Sequence, residues 1–286
     1  MKIAIYGNRH QADYISEIMQ LLSHIARRGD KVIMHNKLRD YLRELAPEFA
    51  DYEIEDGDPD CCDVAVSIGG DGTFLRTAEW IGQGEVPIIG VNTGHLGFLA
   101  PFNLQETCDA IDRFAAGDAE IEERTLLQVE LLNGDLGTWP YALNEVTIQK
   151  RDNASMITVD TRINQKPLAD YLCDGLIVST PTGSTGYNLS VGGPIVEPSA
   201  PNFVISPIAA HTLTMRPLIV DDNSLIEAKT TSRASTYRVS LDGRAVTLPA
   251  GVSLFLSKAP FVVKIVRKPG HNFFATLRDK LLWGAR

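Results

Sequence analysis

The sequence predicts an α/β domain built on an open parallel sheet, followed by a β-rich, sandwich-like second domain. Two observations carry that prediction. Over residues 1–117, short apolar runs of strand length alternate with stretches whose apolar residues recur at helical spacing. From about residue 118 the pattern changes to short strand-like runs separated by turn signals, almost without helix.

The elements follow in order. Residues 2–7, with Ile3 and Ile5, form a buried strand. Over residues 13–28 the spacing of Ile15, Ile18, Leu21, Leu22 and Ile25 predicts a helix, ended by Arg27, Arg28 and Gly29. A strand at 31–35 and a short helix at 37–46 come next. After an acidic loop at 51–60, the apolar run at 64–68 is a third strand that leads straight into Gly69-Gly70-Asp71-Gly72-Thr73. A helix at 74–81, a strand at 87–91 and an amphipathic helix at 103–116 complete a Rossmann-like first domain at 1–117. The second domain, 118–264, is expected to hold strands at 125–132, 143–149, 156–163, 175–179, 202–206, 217–220, 224–230, 236–241 and 252–257. Asn133-Gly134 and Asp242-Gly243 are hairpin-type turns, and Asn164-Gln165 is a weaker one. A strand at 261–266 and a helix at 272–283 return to the first style. The tail at 265–286 is expected to pack back onto the first domain.

Composition narrows the partner classes. The chain has 286 residues, 44% of them apolar, which is enough for a sizeable core. Its 27 basic and 36 acidic residues give a formal charge of −9, which argues against nucleic acid as a partner. The first residues are too short an apolar run for a signal peptide, and no stretch has the length of a membrane span, so a cytoplasmic protein with no membrane association is expected. Cysteines at 61, 62, 108 and 173 match neither a zinc pattern nor a secreted disulfide framework and read as reduced thiols. The six histidines form no ligand spacing, so no protein-held metal is expected.

Three stretches carry chemistry. The glycines of 69–73 let the backbone turn sharply and approach a phosphate, and the following helix start offers unpaired N–H groups to an anion. Asp71, at the end of a parallel strand, stands where such sheets place catalytic groups; it could hold a metal-bound nucleotide or take a proton from a hydroxyl. The spacing matches neither a GxGxxG dinucleotide fingerprint nor a GxxxxGK[ST] phosphate loop. Arg76, one turn into the helix, could reach a phosphate or simply solvate the helix face. The second stretch, Asp174 to Ser190, is dominated by hydroxyls and glycines after a strand. That mixture can line a nucleotide pocket, with Tyr187 able to stack or hydrogen-bond. Third, Asn144 and Glu145 sit between the apolar Leu143 and Val146. Adjacent strand residues point to opposite faces, so one of them faces a site, a partner or solvent.

With these residues in view, the sequence resembles the NAD kinase family over nearly its whole length. The matching runs are 69–73, 92–99 (Asn-Thr-Gly-His-Leu-Gly-Phe-Leu), 143–146 (Leu-Asn-Glu-Val), 174–187 and Gly192-Gly193-Pro194. The glycine-aspartate motif alone is shared with lipid kinases of the diacylglycerol type and with 6-phosphofructokinases; the 174–187 run and the Asn-Glu pair are specific. The resemblance implies transfer of a phosphoryl group from ATP, other nucleoside triphosphates or polyphosphate to the 2′-hydroxyl of the adenosine ribose of NAD. Mg²⁺ or another divalent cation would accompany the donor. It also implies a homodimer or homotetramer whose sites are shared between subunits. By the same resemblance Asp71 is the catalytic aspartate and Gly72 its neighbour at the dinucleotide. Asn144 and Glu145 hold the adenosine, and Asp174 reads the nicotinamide side from a neighbouring subunit. Thr185, Gly186, Tyr187, Asn188, Leu189 and Ser190 line the adenine pocket. Ser155 and Arg244 fall where relatives place variable contacts, and Leu172 is apolar where some relatives carry a basic residue. Two rival readings are a lipid or sugar kinase using the same loop and a non-catalytic dinucleotide sensor. The first predicts an apolar groove or a small sugar pocket where the polar run at 179–190 lies; the second predicts binding without turnover.

Overall fold

The structure is a computed structural model that describes residues 1–8, 14–94, 97–132, 134–151 and 155–284. The chain divides into two compact units, one formed by Met1–Glu123 with Val263–Arg286 and the other by Arg124–Val262. The expected architecture, an α/β open parallel sheet plus a β-sandwich, is the one found.

The first unit contains β1 (Lys2–Gly7), α1 (Ile15–Arg27), β2 (Lys31–Met34), α2 (Asn36–Leu45), β3 (Ile54–Glu55), β4 (Val64–Ile68), α3 (Asp71–Ile81), β5 (Ile88–Val91) and α4 (Leu104–Ala115). The strands lie in the order β5-β4-β1-β2-β3 and every pairing is parallel. Parallel strands need crossovers, which the intervening helices and loops supply, so the central strands are covered on both faces. β4 is buried along all five residues. The α1 stripe read from the sequence, Ile18, Leu21, Leu22 and Ile25, is buried in one core with Ile3 and Ile5 of β1, Val64 and Val66 of β4 and Ile111 of α4. Asn103 and Glu106 form a capping box that starts α4, fixing its first turn.

The second unit draws on β6 (Ile121–Leu131), β7 (Tyr141–Ala142), β8 (Glu145–Lys150), β9 (Ile157–Ile163), β10 (Lys166–Cys173) and β11 (Gly175–Ser179). A single helical turn, α5 (Tyr187–Ser190), is followed by β12 (Asn202–Ile208), β13 (Leu218–Asp221), β14 (Ile226–Ser232), β15 (Thr236–Leu241), β16 (Arg244–Pro249) and β17 (Ser253–Val266). One antiparallel sheet has six strands in the order β13-β12-β11-β8-β15-β16. The other runs β10-β9-β14-β17, with β6 beside β17 and β7. Val146, Leu176, Phe203 and Val239 of the first sheet share a core with Ile157, Ile226, Leu254 and Leu256 of the second, which makes this unit a sandwich. After β17, α6 (Phe273–Leu281) belongs to the first unit, capped by the Asn272 side chain on the Ala275 N–H.

Several elements depart from the sequence reading. β10 and β16 were not expected, because their apolar residues do not alternate regularly with polar ones. Both are completed by two-residue turns with positive φ: Asn164 and Gln165 at 50° and 67°, Asp242 and Gly243 at 46° and 84°. The runs at 252–257 and 261–266, expected as two strands, are one strand, β17. Asn133 lies outside the described residues. Among those residues no helix is long and apolar enough to cross a membrane.

Candidate active site

In the first unit, β4 delivers the chain to Gly69, whose φ of +147° few side chains adopt. A Cβ there would also lie 2.3 Å from Thr73 Oγ1, so the position excludes a side chain twice over. α3 starts at Asp71, three residues earlier than the spacing had suggested, and Asp71 therefore occupies its first turn. Its carboxylate reaches away from its own helix. Oδ2 accepts from the Phe98 N–H at 3.0 Å and Oδ1 from the Leu99 N–H at 2.9 Å. A Cβ on Gly97 would stand 2.0 Å from Oδ1, which is why the segment arriving at Asp71 carries glycine there. Lys280 of α6 adds a third donor, Nζ to Oδ2 at 3.1 Å, and its ammonium lies 4.7 Å above the Phe98 ring. Phe98 is in turn 6.2 Å from Phe273, between ring centroids. Three distant parts of the sequence thus converge on one carboxylate that stays 27% exposed. His95 and Leu96 lie outside the described residues. Gly72 is exposed, and Arg76 pairs with Glu79 at 3.0 Å on the α3 surface.

In the second unit, β8 and β11 pair with Glu145 opposite Ser179. Asp242, held at positive φ in the β15–β16 turn, accepts from the N–H groups of Leu143, Asn144 and Glu145 at 2.7, 2.9 and 3.1 Å. On the other side the Leu143 carbonyl accepts from Thr180 Oγ1, and the Asn144 carbonyl from the Thr180 N–H at 2.9 Å. A Cβ on Gly183 would lie 2.1 Å from that Asn144 oxygen. The backbone of the Asn-Glu pair is therefore held by the fold on both sides, which leaves its side chains to other work. Glu145 Oε2 is buried with no hydrogen-bond partner. Burial, and then the neighbouring charge of Asp242, push the Glu145 carboxyl up to about 7, while the facing Tyr187 N–H pulls the other way. Burial pushes the Asp242 carboxyl up as well, opposed by its three N–H donors and Arg244.

The loop after β11 brings Thr185 to Ser190 beside this pair: a Cβ on Gly186 would be 3.0 Å from Glu145 Oε2. Tyr187 is 38% exposed, its hydroxyl accepting from Gln149 Nε2 at 3.2 Å. Thr185 and Leu189 are half-buried, and Ser190 is exposed with its hydroxyl donating to the Tyr187 carbonyl at 2.8 Å. Asn188 is different. Its amide is fully buried, donates to the carbonyls of Ser184 and Pro194 and accepts from Ser206 Oγ at 2.7 Å, and Gly193 has no room for a Cβ against it. That side chain is committed to the loop.

Ser155 and Asp174 are not part of this cluster. Ser155 and Leu172 line a groove of about 670 Å³ with Lys150 and Arg233, and Lys150 Nζ meets Asp174 Oδ1 at 2.7 Å. Glu145 and Lys150 mark opposite ends of β8, roughly 17 Å apart at the usual rise per residue. Arg244 is buried, donating to the Tyr141 carbonyl with its guanidinium 5.3 Å from the Trp139 ring centre. Sequence reasoning missed Asp242, which it read as a turn, and Lys280, which reads as an ordinary cation in a last helical turn. Among the described residues no three His, Cys, Asp or Glu side chains converge as a metal site.

Comparison with known proteins gives a consistent result. Residues 7–119 match the model of the ATP-NAD kinase N-terminal domain and residues 143–268 that of the ATP-NAD kinase C-terminal domain. An NAD kinase of Porphyromonas gingivalis is 44% identical over 285 residues, spanning 99% of this chain and 98% of the relative. One from Bacteroides fragilis is 39% identical over 286 residues, covering 100% and 99%. Among solved structures, yeast NADH kinase complexed with NADH superposes with a TM-score of 0.89 at 24% identity, covering all of this chain and 89% of the other; at that identity it speaks to the fold alone. An NAD kinase from Archaeoglobus fulgidus in complex with ATP gives a TM-score of 0.75 at 25% identity, covering 97% and 99%.

Proposed function

The chain belongs to the ATP-NAD kinase family, and from that membership we propose that it transfers the γ-phosphoryl group of ATP to the 2′-hydroxyl of the adenosine ribose of NAD, giving NADP. The observation that carries the chemistry is the Asp71 carboxylate, fixed by two backbone N–H groups and Lys280 yet open to solvent. A phosphoryl group in flight needs little from a base, because its transition state is loose and bond making lags behind bond breaking. Asp71 orients the 2′-hydroxyl as nucleophile and takes its proton as the new P–O bond forms; the β–γ bridge bond breaks and ADP leaves with the electron pair. Lys280 stands beside Asp71 to neutralise charge on the equatorial oxygens.

The adenosine half of NAD falls to Asn144 and Glu145, the latter with an unpartnered buried oxygen that can meet a ribose hydroxyl, and to Thr185, Gly186, Tyr187, Leu189 and Ser190 around the ring. A buried acceptor with no donor is costly until a ligand supplies one, which supports Glu145 in this role. Asn188 acts through the loop it braces. Asp174, with Lys150 and Ser155, reads the nicotinamide side of a dinucleotide bound to a neighbouring subunit of a homodimer or homotetramer. Its place at the far end of β8 from Glu145 supports that division. The residues at Asp71 fit a divalent cation carried by the donor's own phosphates, since that carboxylate already accepts three bonds and, among the described residues, no ligand cluster surrounds it. Mg²⁺ arriving with ATP neutralises phosphate charge. Other nucleoside triphosphates or polyphosphate serve the same chemistry, and the setting is cytoplasmic.

Mass spectrometry of a reaction containing the purified protein, ATP, Mg²⁺ and NAD, with NADH in parallel, tests the assignment. Addition of one phosphoryl group to the 2′-ribose is the expected product. Folded protein that phosphorylates neither dinucleotide with any triphosphate or polyphosphate overturns it.

A further inference from the structure

Asp242 sits in a two-residue turn, where an Asp-Gly pair is common because positive φ suits it. Its side chain does more than a turn requires. Three consecutive N–H groups, those of Leu143, Asn144 and Glu145, donate to this one carboxylate, two of them to Oδ1 and one to Oδ2. The backbone answers in the other direction, with the Asp242 N–H donating to the Glu145 carbonyl at 3.2 Å. Arg244, two residues on, is buried and donates to the Tyr141 carbonyl. The hairpin thus grips the segment from Tyr141 to Glu145 at both ends, where the chain enters β8. In the adjoining ladder Leu241 pairs with Val146 and Ser240 with Thr147, so the grip continues directly into the register of β8.

A carboxylate is a costly choice for this task. N–H groups at the start of a strand can be satisfied by a carbonyl, a water or a side-chain amide, none of which brings a charge. Asp242 instead places its charge beside the Glu145 carboxyl, whose Oε2 is buried with no hydrogen-bond partner. Burial works against the ionised form of Asp242, while its three N–H donors and Arg244 favour it. Glu145 is faced by Asp242 from the hairpin turn and by the Tyr187 N–H from α5; Arg244 is the cation that faces Asp242. Burial first, and the Asp242 charge second, raise the Glu145 carboxyl to about 7, so it holds its proton under mildly acidic conditions. A hydroxyl that donates to the Glu145 carboxylate stabilises the ionised form and offsets the repulsion. Asp242 therefore fixes where the Glu145 side chain starts, and its charge decides how much a ligand hydroxyl gains there.

We propose that Asp242 is a positioning residue for the phosphoryl acceptor: it sets the backbone from which Glu145 meets the adenosine ribose, and its charge ties ribose binding to the release of a proton. The proposal rests on Glu145 as part of the adenosine site, and its tests read NAD binding without turnover. On binding, a ribose hydroxyl donates to the Glu145 carboxylate and the carboxyl proton leaves to solvent. In the full-length wild-type protein, calorimetry with NAD alone, in buffers of different ionisation enthalpy, should show proton release at about pH 6 and almost none at about pH 8. Asp242→Asn keeps the shape of the side chain but removes its charge and one acceptor, since the amide NH2 cannot accept an N–H. Its Kd for NAD at pH 8 should rise about tenfold. The several-fold fall in wild-type Kd from pH 6 to 8 should shrink to about twofold, because Glu145 ionises at lower pH once the neighbouring charge is gone. KM for ATP should stay within about twofold of wild type. A purely structural loss weakens binding equally at both pH values, so an unchanged pH ratio in folded Asp242→Asn overturns the proposal. NAD binding to wild type without proton release overturns it too, and needs no variant to fold. The expected pH behaviour in a protein that makes no NADP would keep the positioning role and remove the kinase reading; NADP formation with an unchanged ratio would remove the positioning role alone.

Discussion

Asp71 opens α3 and Glu145 opens β8, and the fold treats their carboxylates in opposite ways. Asp71 is supplied with three donors from two distant segments and keeps a quarter of its surface in solvent. Glu145 has its backbone held on both sides and its carboxyl buried, with one oxygen left without a partner and Asp242 adding repulsion. The first arrangement fixes a charge in place, as a group that must meet a reacting hydroxyl in one geometry requires. The second keeps an acceptor unsatisfied, so a ligand bringing hydroxyl donors relieves a cost that the free protein carries. In the proposed roles, pre-organisation for chemistry and for binding show as surplus and deficit of hydrogen bonds.

Asp71→Asn breaks the comparison most directly. It should retain NAD binding and lose roughly 10²-fold or more in kcat, because the amide cannot take the proton; near-wild-type turnover would remove Asp71 from its role. Asp242→Asn should lower stability by about 2 kcal/mol in urea unfolding, since the Leu143–Glu145 N–H groups lose a charged acceptor. Lys280→Ala should reduce kcat about tenfold with KM for NAD little changed, and Lys280→Arg should recover part of it. An equal loss in Lys280→Arg and Lys280→Ala would show that the position needs more than a cation.

Glu145 gives a pH-dependent effect. Its folded carboxyl titrates at about 7, above the ordinary 4.5, so between those values the folded state holds a proton that the unfolded chain has released. Stability from this group is therefore present at pH 4.5 and below, and it declines as pH rises through about 7. The total is on the order of 3 kcal/mol. Glu145→Gln should gain on wild type in unfolding free energy between pH 5 and 8, and a constant difference would contradict the buried charge. The carboxylate form suits ribose hydroxyl donors, so wild-type KM for NAD should fall several-fold from pH 6 to 8 and stay flat in Glu145→Gln.

The half of the site built on Asp71 was legible because local signals agree: a fully buried strand, a glycine at 69 whose position excludes a side chain, and a helix behind them. The distant partners within each unit were not. Lys280 lies 209 residues away, and its own surroundings in sequence are those of any amphipathic helix end. Asp242 was visible only as half of an Asp-Gly turn; positive φ explains that choice locally, while its three N–H partners, nearly a hundred residues earlier, are a tertiary fact. β10 and β16 were lost because exposed edges need little apolar patterning. The polar run at 179–190 read as a pocket lining, yet Asn188 within it is a buried brace, and composition alone could not separate the two roles.

The pairing of Asp71 with Lys280 also orders events in time. At about 5–20 residues per second a ribosome reaches the lysine roughly 10–40 s after the aspartate. Throughout that interval the nascent chain carries its aspartate without the cation that steadies it. In the proposed mechanism, a centre holding both charges forms only after Lys280 has been made.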